Sequence, residues 1–263
     1  MNTELKYKGG TLHYSDQGKG KTVLLLHGYL ESLEVFESFA KDLARLARVI
    51  TIDLPGHGQS ELINGGCSME LMADAINSIL EHLELDKITL YGHSMGGYAA
   101  LAFAEKYPEK LEGFCLFHST PNPDTEEKQR NRQREIELVK QGKKEIICKT
   151  SIPNTFANRN LKKFAHEVER VTQIACKTKE EGMVAALESM MTRKDQNEML
   201  RQLKVPKVSI IGKEDNFIPY ETALGIAERT GMETCILETS GHMGFIEQRQ
   251  ESLKEVFRLL YEC

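Results

Sequence analysis

The chain has 263 residues, 40% of them hydrophobic and 28% charged, with a net charge of −5. This is the make-up of a globular protein with one large domain, or with a core domain carrying an insertion. The mild acidity offers no basic face for nucleic acid, and no stretch approaches the ~18 apolar residues of a membrane span.

The first residues, MNTELKYKGG, lack the apolar run of an export signal. The six cysteines (Cys67, Cys115, Cys148, Cys176, Cys235 and Cys263) are scattered without a CxxC. They read as reduced thiols of a cytoplasmic protein rather than a disulfide framework. None of the eight histidines has the close His/Cys spacing of a zinc site, so neither a metal nor a cofactor is expected.

Residues 4–14 alternate around Gly9-Gly10 and predict an opening β-hairpin. Thr22–Leu26, TVLLL, is a continuous apolar run of the kind found in strands buried on both faces. It ends at His27-Gly28, after which Ser32 is placed to cap a helix reaching about residue 47. Residues 48–54 form a second buried run, ending in Pro55-Gly56, and a helix is expected over about 68–83. Residues 87–91 predict a third strand, running into Gly92 and a helix rich in small residues, MGGYAALAFAEKY. Leu111–Phe117 is a fourth.

No strand signal appears between about 122 and 203. A charged stretch with EEKQRNRQRE at its centre is followed by two helical patterns, 160–177 and 178–194, the second with a capping box at Thr178 and Glu181. The interspersed charges of the first stretch read as a solvated face. Met190 and Met191 read as packing residues, or as an apolar ceiling over a substrate. Strands resume at 207–211 and 234–238, separated by a helix over Tyr220–Thr230, and a last helix is expected over 247–261. Strands alternating with helices give an α/β class with a mostly parallel sheet. The expected division is a core of residues 1–120 and 204–263, with a helical cap of 121–203.

The chemistry concentrates at loops that follow strands. Gly92-His93-Ser94-Met95-Gly96 is G-x-S-x-G between a strand and a helix. The sharp turn strains Ser94 and lifts its hydroxyl above the carboxyl edge of the sheet, where open α/β sheets place ligands. A serine needs a base to become a nucleophile. His242, in SGHMG after the strand at 234–238, is the candidate. Asp215, in GKED after the strand at 207–211, is the acid that would fix the histidine tautomer, with Glu214 as its rival. The candidate oxyanion donors are the N–H groups of Met95, at a helix start, and Tyr29, in the loop after the first buried strand. Gly28, His118 and Met243 are the candidate substrate contacts. For His118 a satisfied structural role is the competing reading, and His27, His57 and His93 read as structural.

With these landmarks in place, the chain resembles the α/β-hydrolase superfamily, in the branch with a short HG oxyanion motif. The matching segments are His27-Gly28, DLPGHGQS at residues 53–60 (similar to the family's D-x-P-G-x-G-x-S), GHSMGG, Gly212 to Asp215, and Gly241-His242. The order serine, aspartate, histidine is also the family's. The resemblance implies an eight-stranded sheet with one antiparallel edge strand and a lid after the sixth strand. It also implies hydrolysis of a small or medium carboxylic ester or similar acyl compound, with no cofactor. Relatives with similar motifs include carbon–carbon bond hydrolases, lyases and cofactor-free haloperoxidase-like enzymes, and some members of the fold act as small-molecule receptors. The expected partner is a small acyl substrate, not nucleic acid or membrane. The oligomeric state, monomer or homodimer, stays open.

Overall fold

The computed structural model describes residues 2–64 and 66–261, so the thiol expected at Cys263 lies outside the described residues. The first two strands, β1 (Asn2–Tyr7) and β2 (Gly10–Gly18), form the predicted hairpin. Tyr7 pairs with Gly10, leaving a two-residue turn in which Lys8 and Gly9 both have positive φ, 43° and 76°. Such a turn matches the right-handed twist of its strands.

The apolar runs become β3 (Thr22–Leu26), β4 (Arg48–Ile52), β5 (Ile88–His93), β6 (Leu111–Phe117), β7 (Lys207–Gly212) and β8 (Glu233–Leu237). All eight strands join one sheet in the order β1-β2-β4-β3-β5-β6-β7-β8. From β4 across to β8 every pairing is parallel, whereas β2 is antiparallel to both β1 and β4. The strand that opposes the rest is therefore β2, one place in from the edge where it was expected. The hairpin turns β1, the true edge strand, back into the common direction.

Successive residues of the central strands serve opposite faces. Leu24, Leu26, Ile50 and Ile52 pack with α2 (Met69–His82) and α3 (Met95–Lys106). Val23, Leu25, Val49 and Tyr91 pack with α1 (Glu37–Leu43) and with α11 (Arg249–Tyr261), the last helix of the chain. Both faces being covered explains why these strands are apolar throughout rather than alternating.

Between β6 and β7 lie five helices, α4 (Glu126–Lys140), α5 (Lys144–Ser151), α6 (Ala165–Lys177), α7 (Glu180–Met191) and α8 (Asn197–Gln202), with no strand among the described residues. In this helical cap α4 packs on α7 and α5 on α6. After β7 come α9 (Tyr220–Thr230), against which α8 packs, then β8 and the short α10 (Gly244–Glu247) ahead of α11.

Several local expectations change in the structure. Ser32 caps a short 3-10 turn, Leu33–Phe36, before α1 begins, and α1 stops at Leu43. The capping box at Thr178 does not form. Thr178 is buried, and α7 starts at Glu180 with no side-chain cap. The closing helix breaks at Gln248, which separates α10 from α11.

Candidate active site

Ser94 stands between β5 and α3 with φ 50° and ψ −117°, a conformation a side chain adopts only under constraint. The constraint is visible in its neighbours. A Cβ on Gly92 would lie 2.5 Å from the Gly97 Cα, and one on Gly96 would lie 2.5 Å from the Leu26 carbonyl oxygen. Only glycine lets the turn close this tightly. The Ser94 N–H donates to the Phe117 carbonyl, and the Ser119 hydroxyl donates to the Ser94 carbonyl, so β6 and the turn after it brace the elbow. Among the described residues five non-glycines have positive φ, and three of them (Leu30, Ser94 and His118) converge here.

His242 and Asp215 meet as the sequence reading expects. The His242 Nδ1 lies 2.7 Å from Asp215 Oδ2. The other carboxylate oxygen accepts the Phe217 and Ile218 N–H groups at 2.8 and 3.1 Å. Burial alone would raise the Asp215 carboxyl, but the His242 charge and hydrogen bonds from His118 and His242 hold it well below the usual carboxylate range. Glu214, the rival, instead accepts from Arg159 at the exposed cap boundary. The backbone of His242 is held from two sides. Its N–H donates to the Thr155 carbonyl, and its carbonyl accepts from His93 Nε2 at 2.8 Å.

His118 lies beneath this pair, fully covered, with Nδ1 3.4 Å from Asp215 Oδ2. The Gly244 N–H donates to its Nε2, so the one proton of the neutral ring sits on Nδ1, which faces Asp215 Oδ2 with the Gly212 nitrogen 3.2 Å away. Burial pushes its pKa down to about 4, so the ring is neutral. A proton on Nδ1 serves Asp215 while Nε2 accepts from Gly244. His118, Asp215 and His242 also bring three ligand-type atoms within 4.8 Å, but these atoms are already engaged with one another and with backbone N–H groups.

Ser94 and His242 both line a cavity of about 300 Å³ roofed by cap residues. Tyr29, Leu30, Ile152, Met190, Phe217 and Ile218 supply its apolar wall, and Lys128, Arg132 and Glu135 its polar wall. Met190 lines the cavity and also belongs to the buried core, while Met191 packs at the margin of that core. Gly28, His118 and Met243, the candidate substrate contacts, are all buried and none lines the cavity. His118 faces the acid, and Gly28 donates its N–H to Glu31. Met95 opens α3, so its N–H is among the first four that lack an intrahelical acceptor. Tyr29 is in the loop across the cavity, and its hydroxyl donates to Glu135 of α4.

The other histidines are structural in their contacts. The His27 ring bridges the Gly28 carbonyl and the Leu54 N–H, and His57 packs against it at 5.2 Å. The residues missed in the sequence reading are Glu31, Phe217 and the charged face of α4. Phe217, two residues beyond Asp215, lies over the His242 ring at 5.1 Å, and its place on a carboxyl-edge loop was the signal available. The α4 residues carry no such signal.

Comparison with known proteins agrees with this architecture. A family profile described as the alpha/beta hydrolase fold matches residues 21–140. Over 92% of its length the chain is 30% identical to a 2-hydroxy-6-oxononadienedioate/2-hydroxy-6-oxononatrienedioate hydrolase of Escherichia coli, spanning 88% of that protein. Among solved structures, a thermophilic esterase from Thermogutta terrifontis with malate bound superposes with a TM-score of 0.93 at 30% identity, covering 100% of this chain and 98% of that one. The enol-lactonase of Burkholderia xenovorans LB400 superposes with a TM-score of 0.89 at 20% identity, over 98% of this chain and 99% of that one, a likeness of fold. The chain belongs to the α/β-hydrolase family.

Proposed function

We propose that the protein is a serine hydrolase that cleaves a small or medium carboxylic ester, or a similar acyl compound, through an acyl-enzyme on Ser94. One observation carries the reading. A strained serine and a histidine already bonded to a buried carboxylate face the same partly apolar cavity. His242 takes the Ser94 proton as the hydroxyl attacks the carbonyl, then returns it to the leaving alcohol. Water activated by His242 cleaves the acyl-enzyme and regenerates Ser94. The Met95 and Tyr29 N–H groups hold the oxyanion, each such donor contributing about 3–4 kcal/mol to barrier lowering. Residues 121–203 act as the lid. The chemistry asks for no metal or organic cofactor, and a cytoplasmic location suits the free thiols of the described residues.

Carbon–carbon bond hydrolysis with the same three residues is the second reading. It is favoured by the name of the E. coli relative and by Lys128 in the cavity wall, where Arg132 is already paired with Asp124, since a lysine there suits a substrate bearing a carboxylate. The test is labelling by a fluorophosphonate probe, with the labelled peptide identified, together with p-nitrophenyl ester turnover by the wild type and by Ser94→Ala. Label on Ser94 and loss of turnover in the variant support the hydrolase. A wild-type protein that neither labels nor turns over short esters or vinylogous keto acids, yet binds a small acid, would favour the receptor reading instead. Comparing esters of varied acyl length with ring-cleavage-type keto acids separates the two enzymatic readings.

A further inference from the structure

Glu31 and His93 form a buried pair outside the three residues to which the reaction is assigned. Their side chains are 3% and 0% exposed, and Glu31 Oε2 lies 3.0 Å from His93 Nδ1. The same oxygen accepts the Gly28 N–H at 2.7 Å. The other ring nitrogen, Nε2, lies 2.8 Å from the His242 carbonyl oxygen. Both nitrogens of His93 therefore face acceptors, and both contacts are satisfied only by a doubly protonated ring. Burial alone would strip that proton, but the Glu31 charge and hydrogen bond, with the His242 carbonyl, raise the His93 pKa above its ordinary value. The charged and titratable groups around the ring are Glu31, His27, His118, Asp215 and His242, of which His27 and His118 have lowered pKa values.

Each end of this chain of bonds lies next to a different working part of the site. Gly28 precedes Tyr29 in the oxyanion loop, His93 precedes Ser94 in the elbow, and His242 is the base itself. We propose that the Glu31–His93 ion pair is a positioning device that sets the oxyanion loop and the His242 main chain in register with Ser94. This inference rests on the hydrolase reading. Glu31 also lines the cavity, but the reaction as proposed assigns no bond-making or proton-transfer step to either side chain. They act by fixing the distance between the base and the nucleophile, to which catalysis responds steeply.

The test is a double-mutant cycle read as kcat and KM on a p-nitrophenyl ester. Glu31→Gln removes the charge that keeps the second proton on His93, and His93→Gln leaves Glu31 a buried unpaired carboxylate. Each single change is expected to lower kcat roughly tenfold to hundredfold with a smaller change in KM. In the double variant neither a buried carboxylate nor a buried imidazolium is left without its counter-charge. Replacing both partners is expected to recover most of the lost kcat. A folded Glu31→Gln variant with wild-type kcat, or a double variant no faster than the slower single, overturns the proposal. Should the single variants not fold, nitrogen-15 spectra of the histidine rings in the wild type decide it. Two protonated ring nitrogens on His93 at a pH just above the ordinary histidine pKa of about 6.5 are expected, and a neutral ring overturns it. A wild-type protein with no ester or keto-acid turnover would instead strike at the hydrolase reading, whatever the state of His93.

Discussion

His93 ends β5 and His118 follows the neighbouring β6, with their rings 6.1 Å apart, yet their surroundings shift their pKa values in opposite directions. Acceptors on both sides raise the His93 pKa above its ordinary value, whereas burial lowers that of His118 and the Gly244 N–H at Nε2 favours its neutral ring. Asp215 is placed to use the difference. It accepts from neutral His118 without competing with a second buried cation, and its negative charge is left to His242. Asp215→Asn tests this arrangement. The new amide nitrogen cannot accept from the His242 Nδ1–H, so the imidazole is expected to turn to its other tautomer. The loss in kcat on a short-chain ester is expected to be about four orders of magnitude, by analogy with the same change in serine proteases. The fold should persist, because the remaining oxygen still accepts the Phe217 and Ile218 N–H groups, and circular dichroism checks that directly. A variant retaining a tenth of the wild-type kcat would remove Asp215 from the proposed role.

At the scale of elements, the cap and core are joined through Glu247 at the end of α10. Its Oε1 accepts the Ala157 N–H and the Asn160 amide, both at 2.8 Å, from the cap. Its Oε2 accepts the Gly241 N–H and the Ser240 hydroxyl from the loop that carries His242. Glu247→Ala would strand the Ala157 and Gly241 N–H groups, while Asn160 and Ser240 keep the Thr239 and Gly241 carbonyls, and a loss of about 3–5 kcal/mol in urea unfolding is expected. Glu247→Gln, which keeps one acceptor oxygen, should cost less. Equal stability of the alanine variant and the wild type would mean that these bonds contribute nothing net. None of this joint was legible in the sequence, where Glu247 reads as the first residue of a closing helix. The strands and the loops that follow them were legible because each carries a local signature. An apolar run marks burial on both faces, and the glycines of GHSMGG mark a turn too tight for side chains. Three cap helices, α4, α6 and α7, were legible in outline, whereas α5 and α8 were not separated out and the orientation of none was read. In EEKQRNRQRE the charges that line the cavity, Arg132 among them, cannot be told from those that face water until Ile136 and Val139 are seen anchoring α4. Glu31 was equally hidden, since an acid ahead of Ser32 in the segment ESLE looks like any helix start.

Across the whole molecule the buried histidines set how stability responds to pH. His57, packed between His27 and Tyr29 with a buried Nε2 that has no hydrogen-bond partner among the described residues, is pushed down to about 3 by burial and by neighbouring His27. His118 is pushed down to about 4, chiefly by burial. An unfolded histidine titrates near ~6.5. Between that value and the folded ones the unfolded chain binds more protons than the native chain, so stability rises with pH through this window and falls as pH drops through it. Each proton taken up is worth about 1.4 kcal/mol per pH unit. Asp215 and Glu31, whose pKa values are lowered, add losses only further down, as pH falls below the ordinary carboxylate range toward their folded values. His93 works in the other direction. Its raised pKa gives stability that is complete below the unfolded value and fades as pH rises through the folded one. The thermal midpoint is therefore expected to be highest near neutrality, to fall between about pH 6.5 and pH 4 while the carboxylates are still charged, and to soften again on the alkaline side. His57→Gln, which carries no titratable ring, should flatten the acid limb by about one proton's worth and leave the alkaline limb unchanged. Parallel acid limbs for variant and wild type would show that His57 does not unfold with proton uptake, and would remove its burial in the neutral form as the cause.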